Sequence, residues 1–143
     1  MPYLRVIGLR TLSMNIARLL LAFVLAASGM VHAQPSGAPA VAQELIGYAA
    51  DDFGQHMQPP PSDFRRVRLG ELKSADGTQR RWVLCGEFRQ GGAKAAWAPF
   101  ATIKTTPYEH WVGGSAAGYC KAPLYKSQGA DLSPALKERL AAR

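Results

Sequence analysis

Asp76-Gly77-Thr78-Gln79-Arg80-Arg81-Trp82-Val83-Leu84-Cys85-Gly86-Glu87-Phe88-Arg89 is the stretch that decides the fold. Asp-Gly is a strong hairpin turn signal, because glycine adopts the positive φ that such turns need. The ten residues from Arg80 to Arg89 alternate. Trp82, Leu84, Gly86 and Phe88 share one face; Val83, Cys85 and Glu87 share the other. Apolar residues on both faces predict a strand at the centre of its sheet, covered on both sides.

Working outward, Phe64 to Lys73 alternates in part, with Val67 and Leu69 set against Arg66 and Arg68. It is the first arm of the hairpin. Gln90-Gly91-Gly92-Ala93-Lys94 reads as a flexible connection. Trp97 to Lys104 is a third strand candidate, and Pro99 inside it implies an edge position or a bulge. Thr105-Thr106-Pro107 turns the chain into a short fourth strand, Tyr108 to Val112. Gly113 to Gly118 reads as a loop.

Helices flank the strands. Leu45, Tyr48, Ala49 and Phe53 recur at spacings of three and four, predicting a helix from about Val41 to Met57. Pro59-Pro60-Pro61 ends it, because proline lacks the amide hydrogen and disfavours a helical predecessor. Ser133-Pro134 opens a final short helix with Leu136 and Leu140 on one stripe, Ser133 being the expected cap. The expected fold is α+β: a small antiparallel sheet of about four strands, an N-terminal helix packed on it and a short C-terminal helix.

Residues 1–33 read differently. Arg5, Arg10 and Arg18 precede the apolar run Leu19 to Ala27, and small residues stand two apart at Val31-His32-Ala33. These are the three parts of a secretory signal with cleavage after Ala33. The run falls short of the roughly 20 apolar residues that span a bilayer. No cysteine follows it, which closes the lipoprotein route. Met14 offers an alternative start with its own basic segment. Residues 34–41, rich in proline and small side chains, read as a disordered lead-in. Residues 42–143 then form a single small domain.

Three arginines leave with the signal and no acid does, so the net charge drops from +7 to about +4. That mild excess is far from a polyanion-binding composition and argues against nucleic acid as partner. The two cysteines, Cys85 and Cys120, are expected to pair in an oxidising compartment.

Phe64-x-x-Val67-Arg68, the Asp76-Gly77 turn, Val83-x-Cys85-Gly86-Glu87, Gly91-Gly92 and Trp97-x-Pro99-Phe100 occur in this order. The order resembles a family of small uncharacterised bacterial exported proteins. Their pattern reads F-R-x-V-R, a turn, V-V-C-G-E-V-N, F-G-G-Y and G-F-x-P-F. The resemblance covers Phe64 to Ile103. The chain departs from it at Phe88-Arg89 and at Ala93-Lys94. What it implies is an exported bacterial protein with a shared sheet; it carries no activity.

Several constellations invite chemistry. Asp52 and His56 are four apart on a helix, but two ligands are too few for a closed zinc site. Cys85 with His110 would be a thiol–imidazole pair only if no disulfide formed. Ser115 lacks the Gly-x-Ser-x-Gly elbow, and Gly91-Gly92-Ala93-Lys94 lacks the rest of a phosphate loop. Glu87 with Glu109 or His110 would suit a small hydrolase. Arg65, Arg66 and Arg68, with Gly91 and Gly92 and neighbouring aromatic residues, form the expected binding surface. The expectation is therefore a periplasmic or secreted, non-enzymatic binding or structural accessory domain. It uses no cofactor or metal. Its partner is an anionic envelope component or another exported protein, and it keeps no membrane attachment after signal cleavage. The alternatives are an inhibitor that presents the Gly113–Gly118 loop to a secreted enzyme, and the small hydrolase.

Overall fold

The computed structural model describes residues 37–74, 76–121 and 125–143. The signal expected over residues 1–33, the alternative start at Met14 and the beginning of the lead-in lie outside the described residues. The elements run α1 (Ala38–His56), β1 (Asp63–Lys73), β2 (Arg80–Arg89), β3 (Ala98–Lys104), β4 (Tyr108–Val112), α2 (Gly114–Lys121), β5 (Tyr125–Gln128) and α3 (Ser133–Ala141). One antiparallel sheet has the order β4-β3-β2-β1-β5. The class is α+β, with β2 in the middle, as two-sided burial requires.

Each face of β2 is covered. Leu84 and Phe88 look toward α1 and α3, where Leu45, Ile46, Ala49, Phe53, Phe64, Val67, Phe100 and Leu136 form the larger core. Val83 and Cys85 look the other way, into a smaller core with Ala101, Ile103 and Ala116. Phe53 is the hub of the first core, its ring 5.0–5.4 Å from those of Phe64, Phe88 and Phe100. Gly86 belongs to the same face. A Cβ there would stand 2.7 Å from the Phe100 ring and 2.8 Å from Val67.

Several local expectations are corrected. α1 begins at Ala38, inside the segment expected to be a disordered lead-in, because proline suits a helix's first turn and Pro39 sits there. Gly113 to Gly118 is not a loop: only Gly113, at φ 70°, turns the chain. α2 follows, and Ala116 seats it on β3. β3 is an inner strand despite Pro99. Gly113 N–H donates to the Pro99 carbonyl at 2.8 Å just past the end of β4, so the missing amide of Pro99 costs no ladder bond.

A fifth strand, Tyr125–Gln128, joins the far side of β1. It is short, polar and mostly exposed. Gly70 admits it: a Cβ at that position would lie 2.4 Å from the Tyr125 ring and 2.6 Å from the Lys126 carbonyl.

β1 carries a bulge between Arg65 and Arg68, with Arg66 at φ 55°. The extra residue puts Phe64 and Val67, three apart, on the same face. Polar groups at the start of α3 lock it. Val67 N–H donates to Ser133 Oγ at 3.2 Å, and Leu132 N–H donates to the Val67 carbonyl at 2.7 Å. Asp131 Oδ1 accepts from Ser133 N–H at 2.9 Å. The capping carboxylate is thus Asp131, while the Ser133 hydroxyl, the expected cap, serves the bulge. Burial opposes ionisation of Asp131, yet these bonds, with one from the Arg66 amide, hold its pKa below the usual value.

Cys85 and Cys120 form a disulfide with Cα atoms 5.7 Å apart, closing a loop of 35 residues. It ties β2 to the end of α2. In the chain-entropy model, replacing both cysteines by alanine costs about 4 kcal/mol, measured as a lowered urea midpoint. Gly86→Ala is expected to cost about 1–3 kcal/mol by overpacking. Neutral behaviour of Gly86→Ala in the same denaturation series would contradict the tight fit described at Phe100 and Val67.

Candidate functional site

The last turns of α1 and the edge strand β4 enclose a cleft of about 600 Å³, lined by Asp52, Phe53, His56, Met57, Tyr108, His110 and Val112. Alternation along β4 puts Tyr108, His110 and Val112 on the α1 side. Glu109 and Trp111 are on the other side, where Trp111 packs near Tyr119. Helical spacing puts Asp52 and His56 together, with His56 Nε2 3.3 Å from Asp52 Oδ1. The His56 side chain is 71% exposed and that of Asp52 17%, so the carboxylate sits inside and the imidazole at the mouth.

Tyr108 stacks on Tyr48 with ring centroids 4.1 Å apart. Burial, together with the neighbouring Asp52 carboxylate, raises its phenol pKa above the ordinary value. His110 is held from two sides. Its Nδ1 lies 2.8 Å from Thr102 Oγ1 on β3, and the Phe53 ring meets it edge-on at 4.9 Å. Thr102 is fully buried, and His110 is the one partner of its hydroxyl among the described residues. The hydroxyl hydrogen is satisfied only if Thr102 donates to Nδ1. The proton of the neutral ring then sits on Nε2, a buried donor with no partner among the described residues. A buried unpaired donor costs about 1–3 kcal/mol, so it favours an acceptor that enters the cleft.

The expected arginine surface lies elsewhere, toward the open end of the β1–β2 hairpin, where Arg65 and Arg68 share the sheet face of Glu87 and Cys85. Arg65 Nε is 2.9 Å and Arg66 Nη1 3.6 Å from Glu87 Oε2. Arg65 and Arg89 both lie over the Trp97 ring, at 4.3 and 4.8 Å. Arg89 also pairs with Asp63 at 3.0 Å. Arg68 donates to the Gly129 carbonyl at 3.0 Å, bracing the turn after β5. Gly91 and Gly92, both at positive φ, form the exposed turn after β2. Arg66 has 75% of its side chain exposed, and Arg68 is exposed as well.

The hydrolase pairings do not meet. Glu87 shares a face with Cys85 and turns to β1, whereas His110 is on the opposite face. Glu87 stands opposite Pro99 and Glu109 opposite Ile103. That offset is about 13 Å along the sheet and about 10 Å across it, with Glu87 held by Arg65 and Glu109 by Trp111 Nε1 at 3.2 Å. Paired glycosidase carboxyls are about 5–9.5 Å apart. Cys85 is in the disulfide and offers no thiolate to His110. Among the described residues no group of three or more His, Cys, Asp and Glu side chains could hold a metal ion.

The sequence pairs Asp52 with His56 on one helix and names His110 apart from them. Their convergence was missed, because it needs the sheet order that brings β4 beneath the end of α1. The local signal was Tyr108-x-His110-x-Val112 facing Asp52-x-x-x-His56. No family model matches the chain, and no curated protein or solved structure matches it.

Burial lowers the His110 pKa from its ordinary 6.5; Asp52 pulls the other way and His56 adds to the lowering. The unfolded chain therefore takes up the proton first. The stability that neutral His110 contributes is complete above about pH 6.5. It is lost as pH falls from there through the lower folded value. The urea midpoint of the wild type should decline with acid below that point, and His110→Gln should decline less. Parallel curves would show that His110 is not the group responsible.

Proposed function

We propose that the chain is an exported, non-enzymatic binding domain of the periplasm or cell envelope, and that its partner is another exported protein taken at the α1–β4 cleft. The cleft carries this reading. It has the volume of a ligand site and apolar walls in Phe53, Met57 and Val112. It also holds a few polar groups, among them an unpaired donor on His110. Export is supported by the signal-like residues 1–33, by the disulfide and by the resemblance of Phe64 to Ile103 to exported bacterial proteins. Among the described residues no helix is long and apolar enough to cross a membrane.

A second reading keeps the arginine hairpin as a site for an anionic envelope component, favoured by the exposure of Arg66 and Arg68 beside the Gly91-Gly92 turn. It is the weaker one, because the Glu87 carboxylate pairs with both Arg65 and Arg66 and offsets one of their two charges. Neither the inhibitor nor the hydrolase gains support: the inhibitory loop is helix α2, and the acids of the hydrolase are apart.

Titration of the isotope-labelled, oxidised protein with a soluble periplasmic fraction, and separately with anionic vesicles, distinguishes the two sites. Amide shifts are expected around Asp52, Met57, Tyr108 and Val112 with the protein fraction. Shifts centred on Arg65 to Arg68 and Gly91-Gly92 with the vesicles alone would replace the cleft by the hairpin. Full-length chain with two free thiols in the cytosol would remove export altogether.

A further inference from the structure

The cleft opens onto a sheet edge that nothing among the described residues covers, and its chemistry specifies how a partner would enter. We infer that the partner binds as an extended peptide that adds a sixth strand alongside β4, inserting an uncharged donor–acceptor side chain into the cleft. This rests on the cleft being the binding site and goes on to name the mode and the ligand chemistry.

The phase of the β3–β4 ladder carries the argument. Gly113 N–H donates to the Pro99 carbonyl, so in an antiparallel pair the bonded positions recur every second residue. Trp111 with Ala101 and Glu109 with Ile103 are the next such pairs in register. The N–H and C=O groups of Tyr108, His110 and Val112 therefore point away from β3, toward the free edge, and none has a backbone partner among the described residues. The same three residues supply the side chains of the cleft wall. One strand laid along this edge would satisfy those backbone groups and deliver every second side chain to the cleft.

The two edges of the sheet differ. β5 is Tyr125-Lys126-Ser127-Gln128, with a lysine and polar exposed positions, a guarded edge. β4 has no lysine, arginine or proline, and its Trp111 and Val112, 38% and 42% exposed, are the exposed large hydrophobic residues of the described chain. An unguarded edge beside a formed cleft is the arrangement that strand addition uses.

Inside the cleft the unpaired His110 Nε2–H requires an acceptor, while the Asp52 carboxylate, already paired with His56 at 3.3 Å, keeps lone pairs that can accept a further donor. A carboxamide or a hydroxyl supplies both. Asn, Gln, Ser or Thr at the inserted position therefore matches the site. An Asp or Glu would face the Asp52 charge, and a Lys would leave the His110 donor unmet.

The test uses the oxidised protein and a random library of extended eight-residue peptides. Selected binders should carry Asn, Gln, Ser or Thr at one fixed position. On binding, amide exchange should slow at Tyr108, His110 and Val112 and stay unchanged at Glu109 and Trp111, which are already paired. N-methylating every second peptide amide should weaken binding about tenfold or more in one phase and little in the other. Because that change is made in the ligand, it leaves the fold of the protein untouched. Binders that shift cleft residues without the alternating protection, or that tolerate methylation in both phases, would overturn strand addition and leave the cleft reading standing. A library without cleft binders, with vesicle-induced shifts confined to the arginine hairpin, would overturn both.

Discussion

Two-sided burial of β2 is the constraint on which the other elements depend. Leu84 and Phe88 require cover on one face, Val83 and Cys85 on the other. A domain of this size has few elements to spend, so the long helix α1, with α3, takes the larger face, and the short α2 takes the smaller. The disulfide then sits in the thinner layer, where burial supplies least. The molecule uses a covalent bond where it lacks apolar area, a common solution for small secreted domains.

The same economy explains the site. α1 covers the larger core through Phe53, but its last turn overhangs the edge strand. Phe53 has a double role, as hub of the core and as the wall against which His110 is set. The cleft thus belongs to the packing of the core and is not a separate addition. Changes at Phe53 should affect fold and site together, whereas His56, at the mouth, is uncoupled from the core.

Much of the fold was legible because its information is local. The Asp76-Gly77 turn, the alternation of Trp82 to Phe88, the central place of β2 and the pairing of the only two cysteines could all be read from neighbours in sequence. What escaped was set by distant residues. Phe64 and Val67 break the alternation of β1, and the cause, a bulge held by Asp131 and Ser133, lies some 65 positions away in the chain. β5 has no apolar alternation of its own and is defined by the gap above Gly70. α2 is poor in helix formers, with two glycines in eight residues, and is ordered by Ala116 and Cys120 against the sheet. The site followed the same rule: each residue was visible, and the contact between α1 and β4 was not.

The covalent link between Cys85 and Cys120 also divides the molecule mechanically. It makes a closed ring of the second half of β2, β3, β4 and most of α2, with the first half of β2, α1, β1, β5 and α3 outside it. Tension applied between the two ends of the domain would strip the outer elements and leave the ring unextended, hiding 35 residues from the pull, or about 120 Å of contour. The strand that borders the cleft is inside that ring. Under load the domain would thus lose its outer helices while the backbone of β4 remained tethered.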